Sequence, residues 1–87
     1  MRYTVYLLFS VIKGRYYIGY TGADICERIR KHNTNHAGFT GKTGDWKLVY
    51  SEPFAEKMEA LKREKEIKSW KSSKKIASLI GLKHPGL

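Results

Sequence analysis

Aromatic and branched side chains crowd into two short runs near the N-terminus, Tyr3-Thr4-Val5-Tyr6-Leu7-Leu8-Phe9-Ser10 and Arg15-Tyr16-Tyr17-Ile18-Gly19-Tyr20. Both have the composition of pleated strands, and Lys13-Gly14 between them supplies turn chemistry, so the pair predicts a β-hairpin. Thr21, with Asp24 three residues on, reads as the N-cap of a helix running to residues 31–33. Residues 33–45 carry Gly38, Gly41 and Gly44 among Asn, Thr and His, a loop long enough to bear binding groups. Residues 46–50 predict a third strand. Pro53 then fits a first helical position behind a Ser51 or Glu52 cap, and the good helix formers of residues 54–71 predict a long helix. Ser72 or Ser73 caps a last short helix over 74–80, with Gly81 as its stop and a fraying tail at 82–87. The order β-β-α-β-α-α predicts an α+β fold, a small three-stranded antiparallel sheet flanked by helices. It is expected as one domain over residues 1–87, with its core at 3–81.

The helical period breaks at chemically telling places. Ile25, Arg28, Ile29 and His32 stand at i, i+3, i+4 and i+7, so a guanidinium and an imidazole share the face that two isoleucines turn inward. In the long helix Leu61 and Ile67 lie about 60° either side of Glu64, which puts a carboxylate in an apolar sector. Burying a lone carboxylate costs several kcal/mol unless a cation or metal compensates. Ordinary readings exist for each: a snorkelling Arg28, a hydrogen-bonded His32, a Glu64 paired with Lys68 or Arg28. A cleft shared by both helices is the other. If the hairpin turn has an even number of residues, Tyr6, Tyr17 and Gly19 lie on one face of the sheet, Gly19 leaving backbone open to a substrate or a helix, with Tyr20 packing on the other. Cys26 flanks the apolar side of its helix and is expected in the core.

Charge narrows the partners. The chain has 87 residues with 17 Lys+Arg against 8 Asp+Glu, so 17 − 8 gives +9, alongside 11 aromatics. Such a balance fits a polyanion, and nucleic acid ahead of an anionic membrane surface, which wants an amphipathic helix open to lipid. The longest apolar run, Val5-Tyr6-Leu7-Leu8-Phe9, falls far short of the ~18–20 residues that span a bilayer. No secretory cleavage site follows it. The one cysteine excludes an internal disulfide or Cys-rich zinc site, His32, His36 and His84 lack zinc spacing, and a cytoplasmic location is expected.

Taken in chain order, Thr4-Val5-Tyr6, Tyr17-Ile18-Gly19, Arg28, His32-Asn33 and Ala60-Leu61-Lys62-Arg63-Glu64 with Ile67-Lys68 resemble the motifs of the GIY-YIG endonuclease superfamily. The two motif tyrosines keep the superfamily's spacing, and the resemblance spans about residues 3–80. It is nearest to the stand-alone bacterial members and to the nuclease module of structure-specific endonucleases. The resemblance implies hydrolysis of DNA phosphodiester bonds, on branched or single-stranded DNA in repair or recombination, with one Mg²⁺ or Mn²⁺ ion. It implies Glu64 as metal ligand, Arg28 on the scissile phosphate, Tyr6 and Tyr17 at the attacking water, and His32 orienting them or moving a proton. A tyrosine base is about 0.1% phenolate at pH 7 unless Arg28 and the metal lower its pKa, and an imidazole near 6.5 is the easier one, but the resemblance favours Tyr17 or Tyr6 as the base.

Three departures stand out. The first half-motif keeps only its tyrosine, Tyr20 occupies a position where many members carry Lys, and 87 residues leave no appended specificity module. Specificity is then expected from a protein partner or from the domain itself, through Gly19, Asn33, the loop residues Asn35, His36, Thr40 and Lys42, and helical Lys62, Lys68, Lys71, Lys74 and Lys75. Two non-hydrolytic readings compete: a basic DNA or RNA binder that keeps the fold, and a ribosome-associated protein stacking bases on its aromatic strands. Glu64 speaks against both, because a carboxylate repels phosphate unless a cation intervenes.

Overall fold

Strand β1 (Tyr3–Ser10) is the middle of the sheet, so both of its faces need cover, and Val5, Tyr6, Leu7 and Leu8 are all fully buried. These features come from a computed structural model, which describes residues 2–34 and 44–83. Asn35, His36, Thr40 and Lys42 of the expected binding loop, and His84, lie outside the described residues. A four-residue turn joins β1 to β2 (Arg15–Thr21), with Gly14 at φ 63 and its N–H donating to the Ser10 carbonyl at 2.8 Å. That even number sets the register Tyr6↔Gly19 and Leu8↔Tyr17, which puts Tyr6, Tyr17 and Gly19 on one face as parity predicts. Asp45 ties the turn down, accepting from Ser10 Oγ at 2.6 Å and Ile12 N at 2.9 Å. Those two bonds hold its carboxyl below the usual range.

On the other edge, β3 (Lys47–Phe54) pairs antiparallel with β1, giving the order β2-β1-β3. The pairing slips between Leu7↔Tyr50 and Leu8↔Leu48, a bulge at Val49. The bulge lets Val49 and Tyr50 pack against the same cluster. The strand outruns the sequence-based expectation. Pro53 and Phe54, expected in the helix, pair with Thr4 and Tyr3, because β3 is an edge strand and an edge tolerates a residue without an N–H. Ser51 and Glu52 are therefore strand residues and not caps, and helix α2 (Lys57–Trp70) starts after Glu56.

Opposite sheet faces carry separate clusters. Val5, Leu7 and Tyr50 pack with Ala60 and Ile67 of α2 and Ile76 of α3 (Ser73–Lys83), and Tyr20 joins them as predicted. Tyr6, Leu8 and Trp46 pack with Tyr17 and with Ile25 and Ile29 of α1 (Ile25–His32). The chain is thus the small α+β fold expected, three antiparallel strands and three helices in the order β-β-α-β-α-α.

The helix ends differ from the sequence reading. Asp24, not Thr21, caps α1, accepting from Cys26 N at 2.9 Å, while Thr21 ends β2 and takes the Ala23 N–H on its hydroxyl at 2.9 Å. Cys26 is exposed, since about 100° of rotation carries it off the face of Ile25. Helix α3 continues through Gly81, where a Cβ would meet nothing, so the glycine does not stop it. The sharp break comes earlier, at Lys71 in the left-handed region (φ 49) between α2 and α3.

A polar clamp fastens α2 to β3. Arg63 donates Nε and Nη2 to the two carboxylate oxygens of Glu52 at 2.9 and 3.0 Å, and reaches Glu66 at 2.9 Å. The Tyr50 hydroxyl donates to the same Glu52 carboxylate. Burial pushes the Tyr50 phenol up to about 12, and the Glu52 carboxylate adds to the rise. No local pattern in the sequence points from Arg63 to Glu52, eleven positions away. Among the described residues no helix is long and apolar enough to cross a membrane.

A candidate active site between the hairpin and two helices

The hairpin builds the floor. Gly19 faces Tyr6 across the ladder, and a Cβ there would sit 2.8 Å from the Tyr6 hydroxyl oxygen, 2.9 Å from its Cζ and 3.0 Å from Tyr17 Cε2. Gly19 therefore makes room for the Tyr6 phenol. The backbone expected to lie open to substrate is covered by that ring. Tyr6 has no exposed surface, whereas Tyr17, its ring centroid 6.3 Å away, is half-buried. Gly19→Ala is expected to destabilise the protein by about 1–3 kcal/mol and to push Tyr6 off its partners. Chemical denaturation and the His32 imidazole NMR shifts would report both, and an unchanged shift would remove this role from Gly19.

Helix α1 supplies the two groups that its apolar period carries inward. His32 is buried, its Nε2 lies 2.9 Å from the Tyr6 hydroxyl, and its ring centroid is 4.6 Å from that of Tyr17. The Arg28 guanidinium acts on the same Tyr6 hydroxyl, favouring its ionised form. Which group donates in the Tyr6–His32 bond is set by the imidazole tautomer. Burial pushes the Tyr6 phenol above its ordinary pKa; the Arg28 bond and charge offset part of this, and Tyr17 and the Glu64 carboxylate add to it. Tyr6 is held protonated. Arg28 Nε is buried without a hydrogen-bond partner, a costly condition for a charged donor.

From α2 comes Glu64, with its side chain only 13% exposed and its charge felt at Tyr6. Its ion pair is with Lys68 at 3.5 Å, one of the ordinary partners the sequence offered. That lysine is 52% exposed, and a loose i,i+4 pair of this kind is worth about 0.5 kcal/mol. It compensates a sequestered carboxylate poorly. Among the described residues no group of three His, Cys, Asp or Glu side chains could cage a metal. The donor set is one carboxylate, which suits Mg²⁺ or Mn²⁺ carrying most of its own waters and does not suit zinc. The unpartnered Arg28 Nε nearby fits an anion brought in beside such a cation.

Other expected residues lie elsewhere. Asn33, expected at the substrate, is committed to the main chain of Trp46: Nδ2 donates to the Trp46 carbonyl at 3.0 Å and Oδ1 accepts from Trp46 N at 2.8 Å. It clamps the C-terminal end of α1 to the start of β3 and seats Trp46 edge-on against Tyr17, centroids 6.3 Å apart. Trp46 is thus a wall of the site that no sequence period marked; only its size pointed to burial. Lys71 and Lys74 line separate surface hollows on the α3 side, and among the expected lysines Lys68 is the one at Glu64.

A model of the GIY-YIG catalytic domain matches residues 2–77. UPF0213 protein SSP2268 of Staphylococcus saprophyticus is 47% identical over 64 residues, covering 72% of this chain and 77% of that one. A UPF0213 protein of Staphylococcus aureus strain Mu3 is 42% identical over the same shares. The solution NMR structure of UPF0213 protein BH0048 from Bacillus halodurans superposes with a TM-score of 0.62 at 36% identity, over 99% of this chain and 89% of that one. By the model match and these relatives, the chain belongs to the GIY-YIG nuclease superfamily, among the UPF0213 proteins.

Proposed function

We propose that this protein is a divalent-metal-dependent endonuclease that hydrolyses DNA phosphodiester bonds. Branched or single-stranded DNA is its substrate and repair or recombination its setting, in the cytoplasm, with a partner protein adding specificity. One observation carries the reading. A guanidinium with a buried, unpartnered N–H and a sequestered carboxylate act on the same Tyr6 phenol from two different helices. Glu64 would hold Mg²⁺ or Mn²⁺, which when bound polarises the scissile phosphate and stabilises the leaving oxygen.

The chain's own groups divide the remaining work by exposure. Arg28 presents a planar fork to the phosphate and keeps its charge as negative charge builds on the oxygens. Tyr17, half-buried at the mouth, orients the attacking water and passes its proton toward the His32 imidazole packed against its ring. A free phenolate at pH 7 would add roughly 4 kcal/mol to the barrier, which an imidazole ionising near 6.5 avoids. Tyr6, sealed beneath and held protonated, fixes the His32 ring through Nε2.

Metal removal tests the reading. The purified protein is incubated with branched, single-stranded and duplex DNA in Mg²⁺, in Mn²⁺ and in EDTA. Strand breaks are expected with either ion, absent in EDTA and restored when Mg²⁺ is added back. Binding to all three DNAs without a break in any buffer would replace the enzyme with the non-catalytic binder.

A further inference from the structure

An open cavity of about 390 Å³ lies between the end of α2 and helix α3, lined by Trp70, Lys74, Lys75, Ser78 and Leu79. Its chemistry is mixed in a particular way. Trp70, half-buried, and Leu79 give an apolar floor that packs onto the core cluster, and Lys74 and Lys75 line the same cavity. The Lys75 ammonium lies 5.9 Å from the Trp70 ring centroid. No acid occurs anywhere in α3, whose sequence is SKKIASLIGLK. An aromatic floor bordered by two lysines is complementary to a flat ring joined to a phosphate. A stacked base is a stronger partner for an indole than an exposed ammonium is, so Lys75 gains by moving from the ring to the phosphate.

We propose that this cavity is a nucleobase subsite for single-stranded DNA, with the base on Trp70 and Leu79 and its phosphates on Lys74 and Lys75. A duplex buries the faces of its bases and can offer this site only phosphates, so the site distinguishes the two forms. The inference rests on the nuclease reading for its role. Trp70 lies six residues beyond Glu64, roughly 9 Å along α2 at 1.5 Å per residue, near enough to hold the strand that leaves the cleavage site.

The test is run in EDTA, where binding is measured without cleavage. Emission of the wild-type protein is followed on titration with a short oligothymidylate, with an abasic oligomer of the same length and with a duplex, and the same titration of Trp70→Leu, which keeps the buried Trp46, isolates the Trp70 signal. Quenching by the oligothymidylate alone, and affinity for it about tenfold above the abasic oligomer, are expected. Trp70→Leu should abolish that tenfold preference while leaving duplex affinity within about twofold, and Trp70→Phe should keep most of it. Because Trp70 touches the core, Ser78→Glu on the exposed rim serves as a second variant, expected to weaken oligothymidylate binding without lowering the melting temperature. Equal affinity for oligothymidylate and abasic oligomer, or no quenching, overturns the subsite. Neither outcome bears on metal-dependent cleavage, which fails or stands on the Mg²⁺ experiment.

Discussion

Glu64→Gln is expected to lower DNA cleavage by about 10³-fold or more while tightening DNA binding in EDTA. The substitution is close to isosteric, and the residue it changes is held by a loose pair with an exposed lysine, so the fold is expected to survive. What it removes is, among the described residues, the carboxylate whose charge acts at the Tyr6 phenol, and with it the proposed seat of the ion. The sign of the binding change follows from Coulomb repulsion. Without metal, Glu64 opposes an incoming phosphate and also occupies Lys68; as a glutamine it does neither, and at low salt a severalfold gain in affinity follows. Single-turnover cleavage and fluorescence anisotropy in EDTA measure the two effects. Weakened binding in EDTA would mean that the acid is part of the architecture, and cleavage within tenfold of wild type would remove it from the chemistry.

The placement of the candidate site's residues was largely legible in the sequence because two rigid periods wrote it. Alternation in the hairpin placed Tyr6, Tyr17 and Gly19 on one face, and the 3.6-residue period put Arg28, His32 and Glu64 inward among isoleucines, leucine and alanine. The sheet and the order of its helices followed from the same patterns. What escaped notice depends on contacts distant in sequence. Pro53 reads as a helix start until β3 is known to be an edge strand, and the Val49 bulge shows only once β1 and β3 are paired. Glu52 meets Arg63 across eleven positions, and Asn33 meets Trp46 across thirteen, so neither clamp has a local signature. Gly19 was read as an opening and is a seat for a phenol, a distinction that depends on the size of the residue opposite. The unequal burial of Tyr6 and Tyr17 has the same origin: β1 is covered on both faces, while β2 lies at an edge.

Arg28→Met is expected to separate activity from stability more cleanly than any other change in the site. Removing a preorganised donor from a developing phosphate charge costs about 10²–10³ in rate, and Arg28→Lys is expected to recover little, because an ammonium cannot reproduce the planar fork. Stability should move the other way. In the resting protein Arg28 Nε is buried and makes no hydrogen bond, a condition that typically costs 1–3 kcal/mol for such a donor. A methionine fills similar space with an apolar, adaptable side chain and removes the unsatisfied group, at the loss of the charge that acts on the Tyr6 phenol. The melting temperature of Arg28→Met is therefore expected to equal or exceed that of the wild type while single-turnover cleavage collapses. The argument is that a charged donor kept buried and unpaired is retained for a ligand that completes it. A large drop in melting temperature, or cleavage by Arg28→Lys at the wild-type rate, would show instead that the guanidinium serves the packing of α1 and that the phosphate is met by some other group.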